Sequence, residues 1–535
     1  MDIYSIIPPL LALILVILTR RVLLSLGVSI IVGALMLYDF SVPKAGVELL
    51  HILSSLFFSY DVAEPVTVGG IFSGIADSGF AINDWEFFIL LFLIFLGMVA
   101  SFISFSGGST AFGEWAVKRI KTRRGAQLLP IVLGFIIFID DYFNSLTVGN
   151  VSRPVTDRHR ISRAKLAYYV DSTAAPICVI APLSSWGAYI ITFIAEIFEN
   201  NQVTEYGAFQ AFLMMIPMNL YAITALSMVF IVALYKFDFG LMKKHEDLAV
   251  REGVLYDLEK GEPEGSAETG AGEQKGKISY LIAPILALVV VTVGLMISTG
   301  ISGAQADGVA VTTMSILEYT DIARALLYGS IVGMLTALIC TVLTKPVAKD
   351  VWTVSLAGVK SMMPAVLILI LAWTISSIIG DLGTGAYLAS LVEGGIPPYL
   401  LPVMLFVIAG ISAVSTGTSW GTFAILLPIA GDMGANVDST LLLPMLAAVL
   451  AGSIFGDHVS PISDTTILSA AGSGSHHIDH VMTQLPYALL AAAAALVGYI
   501  VLPFAGTIVA VIVSIALLLI AAWIIKRLQA RKTSE

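Results

Sequence analysis

Charge is scarce in this sequence. Only 12% of its 535 residues are Asp, Glu, Lys or Arg, whereas 57% are hydrophobic. A water-soluble chain of this length needs a charged exterior, which this composition cannot supply. Cysteine is almost absent too, with two residues, Cys178 and Cys340, both inside apolar segments. That excludes a disulfide framework and leaves ordinary packing as their role. No phosphate-binding Gly-rich loop occurs, so ATP-driven transport is not supported, and no HExxH occurs to suggest a zinc protease. No nucleophile–base pattern points to an enzyme, and nothing indicates a cofactor or a nucleic-acid partner.

The apolar residues fall in blocks of about twenty, the length a helix needs to cross a bilayer. The blocks are solidly apolar, as from Phe87 to Phe105, rather than alternating as in a barrel. The fold class expected is therefore an all-α polytopic membrane protein. The first run, Ile3 to Leu18, lacks a basic flank before it and reads as a spanning helix rather than a signal peptide.

Positive charge orients the chain. Arg20-Arg21, Lys118 to Arg124, Arg153 to Lys165, Lys236 to Lys277, Lys345 to Lys360 and Lys526 to Lys532 hold 26 of the 28 basic residues. Lys and Arg mark cytoplasmic loops, which puts the N-terminus outside and the C-terminus inside a prokaryotic cytoplasmic (inner) membrane. Basic clusters flank the apolar stretch 126–152 on both sides, so it is expected to enter and leave from the cytoplasm as a re-entrant hairpin. Residues 164–198 would make a helix of about 50 Å, too long for one simple crossing. Pro182 breaks it.

The second half repeats the plan in the opposite orientation, with a hairpin at about 399–438 and a broken helix at about 440–470. Asn144-Ser145 and Pro154 match Thr418-Ser419 and Pro428 at one offset, and Pro182 to Ser185 match Pro461 to Asp464 after a small gap. The expected organisation is a first inverted repeat (1–235), a flexible cytoplasmic linker (236–277), a second repeat (278–503), and an extra C-terminal helix and tail (504–535). About 11 transmembrane helices plus two re-entrant hairpins result. Inverted repeats with interrupted helices are a transporter signature, with the site near the midplane.

Three polar runs lie in this apolar setting. Asp140-Asp141-Tyr142-Phe143-Asn144-Ser145-Leu146-Thr147 places two adjacent acids where an ionised carboxylate costs roughly 2.5–3.5 kcal/mol. Either a proton or a hard cation can neutralise such a group. Thr416-Gly417-Thr418-Ser419-Trp420-Gly421-Thr422 offers hydroxyls and an unwound backbone suited to sodium, although small residues at close helix contacts would read the same way. Gly456 to Thr466 combines Asp457, His458, Ser463, Asp464 and Thr465 around the helix-breaking Pro461. Asp171, Ser184 and Ser185 form its partner in the first half, where Asp171 could equally pair with the basic cluster beside it. His476-His477-Ile478-Asp479-His480 reads as a polar cytoplasmic turn, with pH sensing as the alternative.

Phe455 to Ser469, with Asp140 to Val148, Asp171 to Trp186 and Thr416 to Thr422, resembles the NhaC-type sodium/proton antiporters of the ion transporter superfamily. Val459 stands where many relatives carry cysteine. The resemblance implies a homodimer, a scaffold and a mobile elevator-type domain, and sodium and protons as coupling ions. The candidate ion- or substrate-binding residues are Asp140, Asp141, Asn144, Ser145, Thr147, Asp171, Ser184, Ser185, Thr416, Thr418, Ser419, Asp457, His458, Ser463, Asp464 and Thr465. Sodium is assigned to Asp141, Asn144, Thr418, Ser419 and Asp464. The function expected is exchange of sodium for protons. The alternative is sodium-coupled transport of an amino acid or small carboxylate, but no deep arginine is available to clamp a carboxylate.

Overall fold

A computed structural model describes residues 3–19, 21–63, 65–235, 237–263, 276–345, 348–383, 387 and 397–534. Part of the expected linker (264–275) and of the loop before the second hairpin (388–396) lies outside these residues. Among the described residues the chain is helical and has no strand, only one isolated bridge between Phe58 and Ile82.

The first half runs α1 (Ile7–Thr19), α2 (Val22–Leu37), α3 (Val42–Ser55), α4 (Val68–Asp77), α5 (Glu86–Phe105) and α6 (Gly108–Arg119). It continues through α7 (Arg123–Ile136), α8 (Asp141–Arg158), α9 (Arg163–Cys178), α10 (Ser185–Asn200), α11 (Ala208–Met215) and α12 (Leu220–Tyr235). After α13 (Gly240–Arg251) come α14 (Ser279–Ala306), α15 (Thr313–Glu318), α16 (Ile322–Val342) and α17 (Ala348–Asp381). The last elements are α18 (Leu401–Thr416), α19 (Ser419–Val437), α20 (Leu442–Val459), α21 (Asp464–Ser473) and α22 (His477–Ser534).

Eight helices among the described residues are long and apolar enough to cross a membrane, or nine if α2 and α3, bent by 120°, count as one span. This is a membrane protein. The number is lower than the expected eleven for identifiable reasons. α1, with 13 residues, and α9 and α10, the two 16-residue halves of the broken helix, are each too short to count alone, and α2 counts only in its bent pair with α3. α22 also counts once, although Gly506, with φ of +78°, interrupts it between the two segments expected at 484–503 and 505–525. Sequence reading left α3 and α4 unassigned.

Small residues let the spans approach closely. A Cβ on Gly97 of α5 would lie 2.4 Å from the carbonyl oxygen of Gly358 on α17. Thr341 of α16 donates to the Phe102 carbonyl of α5 at 3.2 Å.

The stretch after α12 is more ordered than its acid-rich composition suggests. α13 packs against the first half near the starts of α7 and α9, because Glu246 is buried there with partners. Lys165, buried on α9, lies 2.7 Å from Asp238 and 3.3 Å from Glu246, and Arg123 at the start of α7 reaches Glu246 at 2.5 Å. The Ser162 amide also donates to Glu246 at 2.7 Å. Charges that look like loop residues in sequence close a buried network here.

Candidate functional site

Four helices begin at interruptions of the apolar sequence. α7 stops at Ile136, and Asp140 caps α8 by accepting from the Phe143 amide at 3.0 Å. Ser184 caps α10 by accepting from the Gly187 amide at 2.8 Å, after Pro182 has ended helical continuation. Gly417, at φ +70°, closes α18 in the left-handed conformation that favours glycine, and α19 starts after Thr418. Pro461 separates α20 from α21, which Ser463 caps through the Thr466 amide at 3.3 Å.

The caps also set a register. Asp140 and Thr418 are 278 residues apart, and Ser184 and Ser463 are 279 apart. The match of Asn144 to Thr418 drawn from residue likeness is therefore out of step with the helix starts, which pair Asp140 with Thr418, whereas the match of Ser185 to Asp464 agrees with them.

Three of these helix starts border one cavity of about 430 Å³. Asp140, Asp141 and Tyr142 come from α8, Thr416, Gly417, Thr418 and Trp420 from the α18–α19 turn, and Ile462 and Asp464 from the α20–α21 break. Ser361, Met362, Pro364 and Ile368 of α17 form the facing wall. Tyr142 donates its phenol to Asp464 at 3.2 Å, joining the two halves of the chain.

Behind the lining lies a buried polar layer. Ser185 donates to Asp140 at 3.1 Å, and the Trp186 indole N–H donates to Asp141 Oδ1 at 2.9 Å. Ser419 donates to Asp457 Oδ2 at 2.8 Å, and Ser463 donates to the other oxygen of Asp457. Thr465 lies 2.9 Å from Ser463. Trp186 and Trp420 meet edge to face with centroids 5.7 Å apart. Asn144 donates to the Gly134 and Ile137 carbonyls at 3.0 and 2.7 Å. Its own Oδ1 and Asp141 Oδ2 are buried with no hydrogen-bond donor among the described residues. Two such oxygens one turn apart beside a cavity are open to a water or an ion.

The remaining candidates sit elsewhere. Ser184 spends its hydroxyl on the α9–α10 turn, donating to the Cys178 carbonyl at 2.6 Å. Thr147 is buried on α8 and does not line the cavity. Ser145 meets Ser469 at 3.2 Å where α8 crosses α21. A Cβ on Gly149 would lie 2.6 Å from the Gly472 backbone, so the two helices touch there.

Asp171 and His458 belong to a second polar cluster. Asp171 accepts from Gln484 at 2.5 Å and from Thr466 and Ser469 at 3.3 Å each, and faces His480 at 3.3 Å. One ring nitrogen of His458 lies 2.9 Å from the Asp171 carbonyl and the other 3.0 Å from the Tyr221 phenol. Two readings need correction here. Asp171 pairs with His480 instead of the basic cluster beside it. His480 is no turn residue, because α22 has already begun and carries it into the protein, wholly buried. Sequence reasoning also missed Tyr142, Trp186, Gln484 and the α17 wall. The polar Gln484 within an apolar helix was the available signal for its own part in this cluster.

A model of the Na+/H+ antiporter family matches residues 177–504, more than half of the chain. The chain belongs to the Na+/H+ antiporter family. The match takes in α10, both second-half breaks and Asp457 to Thr465, while Asp140 to Thr147 and Asp171 precede it. An uncharacterized protein of Haemophilus influenzae is 47% identical over 504 residues, covering 94% of this chain and 91% of its own length. The malate-2H(+)/Na(+)-lactate antiporter of Bacillus subtilis is 34% identical over 143 residues, which span 29% of that protein. The YdaH transporter of Alcanivorax borkumensis shares the fold, with TM-score 0.51, 14% identity, and coverage of 88% of this chain and 98% of that one. With its apolar helices, this member of the family is a secondary transporter of the membrane.

Proposed function

We propose that this chain exchanges sodium for protons at the cavity bordered by the starts of α8, α19 and α21. The observation that carries the reading is the pair of buried, unpartnered oxygens, Asp141 Oδ2 and Asn144 Oδ1, one turn apart on α8 beside a cavity bordered by three carboxylates. Oxygens suit sodium, a hard cation. Asp141, Asn144, Thr418, Ser419 and Asp464 would supply its shell, with Asp140, Asp457, Ser463 and Thr465 behind them. A proton would replace the cation on the return, because acidic groups this close need neutralising by one or the other.

The paired cap registers support two inverted repeats at 1–235 and 278–503, with hairpins α7–α8 and α18–α19 and an elevator movement between cytoplasmic and external faces. The charge pattern supports N-out, C-in placement in a prokaryotic inner membrane, and the family resemblance supports a homodimer. Transport of an organic carboxylate gains less support, since among the described residues no basic side chain lines the cavity.

The test is purified protein in liposomes holding a pH-sensitive dye. An inward sodium gradient should drive proton efflux, and no sodium-dependent pH change across a range of gradients would overturn antiport.

A further inference from the structure

The cavity has two unlike walls. One is acidic: Asp140, Asp141 and Asp464 border it together with the Tyr142 phenol. The other is mostly apolar, built by Met362, Pro364 and Ile368 of α17 beside Ser361, and Ile462 adds to the apolar lining. Sodium needs oxygen around it and gains nothing from the second wall. The volume, about 430 Å³, also lies in the range of small-molecule pockets, roughly 300–1,000 Å³, and far exceeds the space of one water, about 10–15 Å³.

Charge fixes the class of molecule that would use both walls. Among the described residues no Lys, Arg or His lines the cavity. The start of α19, where the Thr418 side chain makes no cap bond, brings roughly half a positive charge against three carboxyl groups. An organic anion would therefore enter only with several of them protonated. A primary ammonium instead presents N–H donors to the unpartnered Asp141 Oδ2 and to Asp464, lays its hydrocarbon on the α17 wall, and finds the rings of Tyr142 and Trp420 at hand for its charge.

We propose that this cavity binds small organic ammonium ions in place of sodium, with Asp141 and Asp464 receiving the charged end and Met362, Pro364 and Ile368 the hydrocarbon. This rests on the reading of the cavity as a cation site.

The experiment is displacement of radioactive sodium from the detergent-purified full chain by methyl-, ethyl-, propyl- and butylammonium, with malate and lactate alongside. Displacement should strengthen by roughly two- to fourfold per methylene as hydrocarbon is buried. Ile368→Ser should flatten that series. Asp464→Asn should weaken every amine about tenfold or more, as loss of a charged hydrogen bond does, and malate and lactate should not displace sodium. Sodium binding that no amine displaces at 50-fold excess over sodium, displacement independent of chain length, or displacement by malate as strong as by butylammonium would each overturn the proposal and leave antiport standing. A chain that binds no sodium and moves no protons in the liposome assay would instead overturn the antiport reading, and this proposal with it.

Discussion

The Asp171 carboxylate and the His480 imidazole lie 3.3 Å apart, and neither is exposed. They join α9 of the first half to α22 of the second, and Thr466 and Ser469 of α21 bond the same carboxylate. α21 begins at Asp464, so this cluster holds the helix that carries a cavity acid. Removing one partner of a buried pair leaves the other without compensation and costs about 3–5 kcal/mol. His480→Ala should lower the melting midpoint clearly in detergent, and His480→Gln should recover part of the loss by restoring a donor. An unchanged midpoint in His480→Ala would show the pair to be dispensable.

Asp464 is in a different position. It is exposed to the cavity, where its side chain accepts a hydrogen bond from Tyr142 at 3.2 Å. Asp464→Asn should therefore fold and insert normally, with stability changed by about 0.5 kcal/mol or less, as for exposed sites. Sodium-driven proton movement should nevertheless fall about 10- to 100-fold, the worth of one charged hydrogen bond. Near-normal exchange in Asp464→Asn liposomes would remove this residue from coupling.

The helix breaks were legible because proline and glycine interrupt long apolar runs. Pro182, Pro461 and Gly417 each stand in a break between two helices. The polar runs beside them were visible for the same reason, and the structure places Asp140, Asp141, Thr416, Thr418 and Asp464 on one cavity. The α17 wall was not legible, since Met362, Pro364 and Ile368 look like any lipid-facing span until packing sets them opposite the acids. His480 was misread because local polarity resembles a turn, and only the docking of α22 on α9 shows where its side chain goes.

The Lys165–Glu246 network makes a prediction about α13. Lys165 is 1% exposed and depends on Asp238 and Glu246 for its charge. Glu246→Ala should destabilise the protein by about 3–5 kcal/mol and expose the stretch after α12 to protease. A nearby exposed contact behaves differently. Hydrogen bonding to Asp479 holds the Lys260 ammonium above its usual range. Its contribution is thus complete at neutral pH and fades only in alkali, as pH rises through that raised value. Lys260→Ala should change little, by about 1 kcal/mol at most.

The Gly149–Gly472 crossing should tolerate no side chain. A Cβ on Gly149 would stand 2.6 Å from the Gly472 carbonyl carbon, and backbone cannot move aside as a flexible side chain does. Gly149→Ala should push α8 from α21, which carry Asp141 and Asp464. Overpacking of this kind costs about 1–3 kcal/mol. The informative readout is sodium affinity beside stability, because separating the acids should weaken the cation site even where the protein still folds. Wild-type affinity in a folded Gly149→Ala protein would show that the two helices need not touch for the site to form.

Competition between sodium and protons is the sharpest consequence of the geometry. Asp140, Asp141 and Asp464 share one cavity, and among the described residues no basic group lines it to balance them. Carboxylates so placed repel when ionised, and a proton or a cation relieves that repulsion. Each therefore excludes the other. Apparent sodium affinity should strengthen as pH rises, because fewer protons compete, and level off once the sites are deprotonated in the free protein. Sodium added to unbuffered protein should release protons, seen with a pH dye, and Asp141→Asn together with Asp464→Asn should abolish the release. Sodium affinity that stays constant from about pH 6 to 9 without proton release would exclude a shared site, since competition at a common carboxylate requires the two to be linked.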